Sequence, residues 1–208
     1  MTTRMTLAEL ERSAQEKSPA LADLSDSLVF GEGPEHADLM IVGEAPGEDE
    51  DLSGRPFVGR AGRLLDQILA SVDLDREEVY VTNLVKRRPP GNRNPTPAEI
   101  EASADLLLSQ IRAIRPEVIV TLGNVPTKWF LNTQEGITRL HGSWHDWHGV
   151  RLMPLYHPAY LLRNPTRERG GPKWRMWEAM KELAAEVRRA PERSGPVAID
   201  TSEQQGLF

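Results

Sequence analysis

Short runs of consecutive apolar, largely β-branched residues alternate along this chain with longer stretches in which apolar residues return every three or four positions. Runs of the first kind occupy residues 37–43, 79–84, 118–122 and 150–156, and they predict four strands. Between them, Leu64, Leu65, Ile68 and Leu69 share one face of a helix predicted over residues 61–72. Ile100, Ala104, Leu107, Leu108 and Ile111 do the same over residues 97–114, where Thr96 is placed to cap the helix and Glu99 to complete a capping box. A shorter helix is predicted over residues 125–131 and a last one over residues 174–188. Strands that are apolar throughout are buried on both faces, and strands separated by helices pair in parallel. The pattern therefore predicts a doubly wound α/β sandwich.

The ends differ from this pattern. Residues 1–27 open with a short helical signal at Leu7 and Leu10 and then lose periodicity, so they are expected to form an N-terminal helix and connecting segment. Residues 28–189 form the predicted domain. Residues 190–208 are rich in Pro, Gly and polar side chains and are expected to be a flexible tail.

At 208 residues the chain is long enough to bury a full core. It carries 25 basic and 31 acidic residues, a formal net charge of −6, so any nucleic-acid contact must rest on local patches rather than bulk charge. Cysteine is absent, which excludes disulfides, thiolate zinc sites, cysteine nucleophiles and cysteine-ligated iron–sulfur clusters. No apolar run approaches the length that spans a bilayer, and a cytoplasmic monomer is expected.

In open α/β sheets, ligands bind beyond the carboxyl ends of the strands. Glu44, Ala45 and the acidic run Glu48 to Asp51 follow the first strand, and Asp49 and Asp51 are expected to be solvated. Asn83 closes the second strand and leads into Lys86, Arg87, Arg88 and Arg93, with no acid between them. His157 follows the fourth strand, and Arg163, Arg167, Arg169, Lys173 and Arg175 come after it against Glu168 alone. A carboxylate, an amide, a histidine and two basic loops on one rim predict a site across which a phosphate backbone lies. The Gly43 to Gly47 turn lacks dinucleotide-binding spacing, and no Gly-Lys-Ser/Thr phosphate loop is present. His141, His145 and His148 are close in sequence, but Gly142, Trp144, Trp147 and Gly149 make that stretch a turn feeding a strand, and no metal site is expected.

Taken together, Gly43-Glu44-Ala45-Pro46-Gly47, the run from Gly54 to Gly62, Thr82-Asn83-Leu84-Val85-Lys86, the run from Arg88 to Arg93, and His157-Pro158-Ala159-Tyr160-Leu161-Leu162-Arg163 resemble the family 4 uracil-DNA glycosylases. The resemblance covers residues 28–188 in order and spacing. It implies a three-layer α/β/α sandwich around a four-stranded parallel sheet. It also implies hydrolysis of the N-glycosidic bond of deoxyuridine in DNA, releasing uracil in base excision repair. Such an enzyme must flip the target base from the stack and stabilise a departing uracil anion.

By this resemblance His157 donates to uracil O2, Asn83 reads O4 and N3–H, and Phe57 stacks on the ring. The pocket wall at Ala45 and Glu50 is the side that would crowd a thymine methyl. Either Glu44 or Glu50 orients water or offsets charge on the sugar, with Glu44 favoured by the turn that holds it. Lys86, Arg87, Arg88, Arg93 and Arg163 are the expected phosphate contacts, and Leu161 or its neighbour Leu162 the wedge left in the stack.

One departure is large. Members of the family ligate a four-iron–four-sulfur cluster through four cysteines, and the matching positions here are Glu16, Pro19, Arg87 and Ser103. No cluster is expected, and the order of residues 10–25 and 87–103 is brought into question. A second motif lies in the tail, where Gln204, Leu207 and Phe208 fit the Gln-x-x-Leu-Phe pattern of peptides that dock on the bacterial sliding clamp. The alternative reading is a non-catalytic binder of uracil-containing or single-stranded DNA. A third class traps DNA through a histidine in the loop after the second strand, but residues 86–100 contain none.

Overall fold

The computed structural model describes residues 5–189. Its strands are β1 (Leu39–Gly43), β2 (Val79–Asn83), β3 (Val118–Leu122), β4 (His145–Trp147) and β5 (Val150–Leu155). Its helices are α1 (Leu7–Ser13), α2 (Glu48–Ser53), α3 (Arg60–Ala70), α4 (Pro97–Ile114), α5 (Asn124–Leu131), α6 (Ile137–Leu140), α7 (Pro158–Arg163) and α8 (Pro172–Arg189). The sheet order is β2-β1-β3-β5-β4, with β1 parallel to β2 and β3, and β3 parallel to β5.

Side chains alternate across β1 because successive residues of a strand point to opposite faces. Leu39 and Ile41 enter one core with Leu65 and Leu69 of α3 and Met180 and Leu183 of α8. Met40 and Val42 enter the other core with Leu107, Leu108 and Ile111 of α4 and Trp129 and Phe130 of α5. The central strand is thus covered on both sides, giving the three layers expected from uninterrupted apolar strands.

All four expected strands form, but the sheet has five. The extra strand, β4, is antiparallel to β5 and pairs His145 with Leu152 and Trp147 with Val150. Its hairpin turns through His148 (φ 49°) and Gly149 (φ 84°), the left-handed pair that two-residue hairpins require. Three residues carry too little alternation to reveal a strand, and pairing with β5 supplies the rest. The acidic run forms the short helix α2, in which Asp49 is exposed as expected, whereas Asp51 is half-buried with one carboxylate oxygen shielded from solvent. Four carboxylates in its first turn face the positive end of the helix dipole.

Helix α4 has the expected Thr96–Glu99 capping box and Pro97 at its first turn. The N-terminal segment packs against it, with Leu24 buried in the α4 core and Leu7 and Leu21 against its edge.

Candidate functional site

A cavity of about 690 Å³ opens at the carboxyl ends of β1, β2, β3 and β5. Glu44, Ala45, Glu50, Phe57, Asn83, His157 and Arg163 all line it, although they come from segments separated by up to 119 positions in the chain (163 − 44).

Phe57 is held at φ 55°, a left-handed backbone that an aromatic residue adopts only when its surroundings impose it. Gly62 permits this. A β-carbon there would overlap the Phe57 backbone carbonyl, so only glycine lets α3 close over the turn. The Phe57 ring lies 5.9 Å from the His157 ring, tilted by 30°. Across the floor, a β-carbon on Gly43 would stand 2.6 Å from Phe57 Cζ and would overlap the side-chain oxygen of Asn83. The bare end of β1 is what allows the ring and the amide to converge.

Asn83 ends β2 and is buried. Its backbone carbonyl accepts a 2.6 Å hydrogen bond from Lys86 Nζ, whereas its carboxamide has no partner among the described residues. His157 caps α7. Its Nδ1 accepts the Ala159 amide proton at 3.1 Å, so the neutral ring carries its proton on Nε2. Burial, and secondarily the Arg163 guanidinium, pull its pKa down to about 4. At neutral pH this ring is an uncharged donor.

The two carboxylates have different surroundings. Glu50 Oε1 accepts from the amides of Val58 and Gly59 at 3.0 and 2.8 Å, and Oε2 accepts from Gly47 at 3.1 Å. It clasps the two loops that shape the pocket. Glu44 is half-buried with no hydrogen bond to its carboxylate among the described residues, and burial raises its pKa.

Several expected phosphate contacts are not at the surface. Lys86 is 2% exposed, and its ammonium donates to Thr82 Oγ1 and the Asn83 carbonyl, both at 2.6 Å. Desolvation pushes its pKa well down. Arg87 is also 2% exposed and donates to the carbonyls of Ala14, Gln15 and Asp26, tying two stretches of the N-terminal segment to the loop after β2. Arg93 lies on the cavity rim but forms a two-pronged ion pair with buried Glu99 at 2.8 and 2.6 Å. Hydrogen bonds from Arg93 hold the Glu99 carboxyl at about 2. Arg88 binds Asn92 Oδ1 at 2.7 Å and sits 3.7 Å from Glu48. Leu161 is 1% exposed in the core and cannot reach a base stack, whereas Leu162 beside it is 37% exposed. Arg163 is exposed and has no ion pair among the described residues.

The cavity also includes residues the sequence did not single out. Tyr156, Tyr160 and Thr138 form its far wall, with the Tyr156 and Tyr160 rings 5.1 Å apart. Arg175 of α8 braces this wall by donating to Tyr156 Oη at 2.8 Å and to the Thr138 carbonyl at 3.2 Å. Tyr156 adjoins His157 in sequence and was within reach of a reading of strand ends. Thr138 comes from the four-residue α6, which carries no periodicity. His141 stacks on Tyr156 at 3.8 Å, and its Nδ1 accepts the Tyr156 amide proton.

The sequence model of the uracil DNA glycosylase superfamily matches residues 30–181 of this chain. The chain is 47% identical over 144 residues to a type-4 uracil-DNA glycosylase of Thermotoga maritima, covering 68% of this chain and 75% of that protein. It is 48% identical over 147 residues to a type-4 uracil-DNA glycosylase of Archaeoglobus fulgidus, covering 67% and 74% respectively. A type-5 uracil-DNA glycosylase of Pyrobaculum aerophilum is 31% identical over 152 residues, covering 65% of this chain and 67% of its own.

Proposed function

The chain belongs to the uracil-DNA glycosylase superfamily, in its type-4 branch, and excises uracil from DNA; from that premise we propose how the residues of the cavity divide the work. The observation that carries the proposal is the His157 ring, fixed as a neutral Nε2–H donor by the Ala159 amide, in one pocket with a buried Asn83 amide and the Phe57 ring.

Breaking the N-glycosidic bond leaves negative charge on uracil and positive charge on the sugar. His157 Nε2–H donates to O2 of the departing base, where the negative charge develops. A donor that is already neutral at pH 7 needs no proton transfer to act. Asn83 donates its amide N–H to O4 and accepts N3–H through its carbonyl. Cytosine presents the reverse pattern and would leave a buried amide unpaired, which discriminates strongly. Phe57 lies against the ring.

Glu44 is the carboxylate with oxygens available to hold the attacking water and offset charge on the sugar. Glu50 braces the loops that carry Ala45 and Phe57. Arg163 takes a phosphate at the rim, and Leu162 is the apolar side chain placed to fill the gap left by the flipped base.

The structural role of the family's cluster passes to Arg87. An iron–sulfur cluster needs thiolate ligands, and the matching positions offer a carboxylate, a proline, a guanidinium and a hydroxyl. Glu16, Arg87 and Ser103 line a separate cavity of about 350 Å³ beside α1, where leucines such as Leu10 and Leu24 alternate with serines and charged side chains. The Arg87 guanidinium already joins the segments there through three backbone carbonyls. We therefore read the enzyme as cluster-free.

The sliding-clamp motif at Gln204, Leu207 and Phe208 lies outside the described residues, and docking on the clamp remains a proposal from sequence. Deleting residues 204–208 should abolish clamp pull-down while leaving uracil release from short oligonucleotides unchanged; persistent pull-down would rule the motif out.

The assay for the whole reading is uracil release from a single-stranded oligonucleotide with one deoxyuridine, revealed by alkaline cleavage beside a thymine-only strand. Cleavage confined to the uracil strand, lost in His157→Ala and Asn83→Ala, is the expected result. Binding without cleavage by wild-type protein would favour the non-catalytic alternative.

A further inference from the structure

We propose that the first two turns of α8 carry a stacking platform, built on Trp174 and Trp177, for an unpaired base of the single DNA strand that flanks the excised nucleotide. The proposal rests on the reading of the neighbouring cavity as the uracil pocket.

The two indoles are three positions apart on one helix, with ring centroids 5.3 Å apart and planes inclined by 57°. The core side of α8 is already formed by Met176, Met180, Leu183 and Ala184, and Trp177 stands off that side with 42% of its surface exposed. Trp177 is not required for packing on a helix whose apolar face is already complete, and its ring is available for contact.

Cations frame the pair. Lys181 Nζ, paired with Glu178 at 2.9 Å, lies over the Trp177 ring 3.7 Å from its centroid, and the Arg169 guanidinium lies 5.9 Å from that of Trp174. Between residues 163 and 181, Arg163, Arg167, Arg169, Lys173, Arg175 and Lys181 face two acids, Glu168 and Glu178, the second of which pairs with Lys181. Aromatic faces interleaved with basic side chains are the combination that binds single strands, the rings taking bases of any sequence and the cations taking phosphates. An apolar protein partner would not call for this excess of positive charge.

Continuity with the pocket sets the occupant. Arg175 lies between the two tryptophans in sequence, and its guanidinium reaches Tyr156 Oη and the Thr138 carbonyl on the cavity wall. Arg175 thus links the indole-bearing turns to the wall of the pocket, and a strand that leaves past Tyr156 toward α8 would meet the indoles. The start of α8 lies at the pocket rim because Arg175 in its first turn reaches Tyr156 and Thr138, whereas Arg188 in its last turn reaches the Val72 carbonyl beyond the end of α3.

The test compares steady-state kinetics on a trinucleotide that holds deoxyuridine between two abasic spacers and on a long single strand. For Trp177→Ala, KM on the long strand should rise about tenfold, the size expected for losing one base–aromatic stack, while kcat and all trinucleotide kinetics stay unchanged. Trp177→Phe should keep most of the affinity. In wild-type protein, an abasic spacer at the flanking position should reproduce the loss and add nothing to Trp177→Ala, identifying which flank is bound. Unchanged KM on the long strand, or an equal loss on the trinucleotide, would overturn the platform. If wild-type protein released no uracil at all, the pocket reading would fail instead. The platform would then stand or fall on quenching of tryptophan fluorescence by a thymine-only strand, present in wild type and reduced in Trp177→Ala.

Discussion

The Nδ1 of His157 accepts the amide proton of Ala159 at 3.1 Å, so the first turn of α7 sets which nitrogen of the ring faces the cavity as a donor. His157→Ala should lower kcat by about a hundred- to a thousandfold, the usual cost of removing one donor to a developing anion, with a smaller change in KM. Because the pKa of His157 is pulled down to about 4, activity should not fall through the ordinary histidine range near 6.5. A kcat profile that drops with a midpoint near 6.5 would contradict the neutral-donor role.

Gly43→Ala should be nearly as damaging as loss of a contact residue, although Gly43 offers no functional group. Its added methyl would stand 2.6 Å from Phe57 Cζ and against the Asn83 side chain, displacing the two groups assigned to the base. The expected outcome is a large loss of kcat/KM on uracil-containing strands with the cooperative unfolding transition retained. Wild-type kinetics would show that Asn83 and Phe57 need not meet there.

Arg87→Ala should destabilise the fold by about 1–2 kcal/mol, because three part-buried carbonyls lose a charged donor. Uracil release measured at low temperature should persist, since Arg87 touches nothing in the cavity. Thermal denaturation of the variant and the wild type, each with and without chelator, is the measurement. Chelator-dependent stability of the wild type would contradict a cluster-free enzyme.

Acid should weaken the fold before most carboxylates titrate. Burial lowers both His141 and His157 from the ordinary 6.5 to about 4, so on acidification the unfolded chain takes up these protons first. Stability from the neutral rings is therefore complete above about pH 6.5 and is lost as pH falls toward 4. Urea unfolding between pH 7 and 5 should show this fall. It should be shallower in His141→Asn, whose side-chain oxygen can still accept the Tyr156 amide. A fall of the same steepness in that variant would remove His141 from the account.

Much of this architecture follows from local patterning. Apolar runs such as Leu39 to Val42 have no polar face to offer water, so they must be covered on both sides, and the intervening helices do this. Parallel strands joined by helices bring their carboxyl ends to one rim, which is why Glu44, Asn83 and His157 could be grouped without coordinates. The fate of the basic loop was not local. Lys86, Arg87 and Arg93 follow one another with no acid between them and look like free surface charge. Their partners are the Asn83 and Thr82 oxygens, carbonyls 61 to 73 positions upstream, and Glu99 across a turn. Only folding shows that the first two are buried and the third neutralised, leaving exposed positive charge to the segment after His157. The same holds for the division between the carboxylates. Glu44 and Glu50 are alike in sequence, and the three backbone amides that engage Glu50 exist only once the loops close around it. The order of apolar and polar residues determined the layers and the rim, because an apolar face must be covered wherever the chain presents it. The tertiary structure decided which charges on that rim remain free, because a charge is satisfied by whatever the fold places beside it.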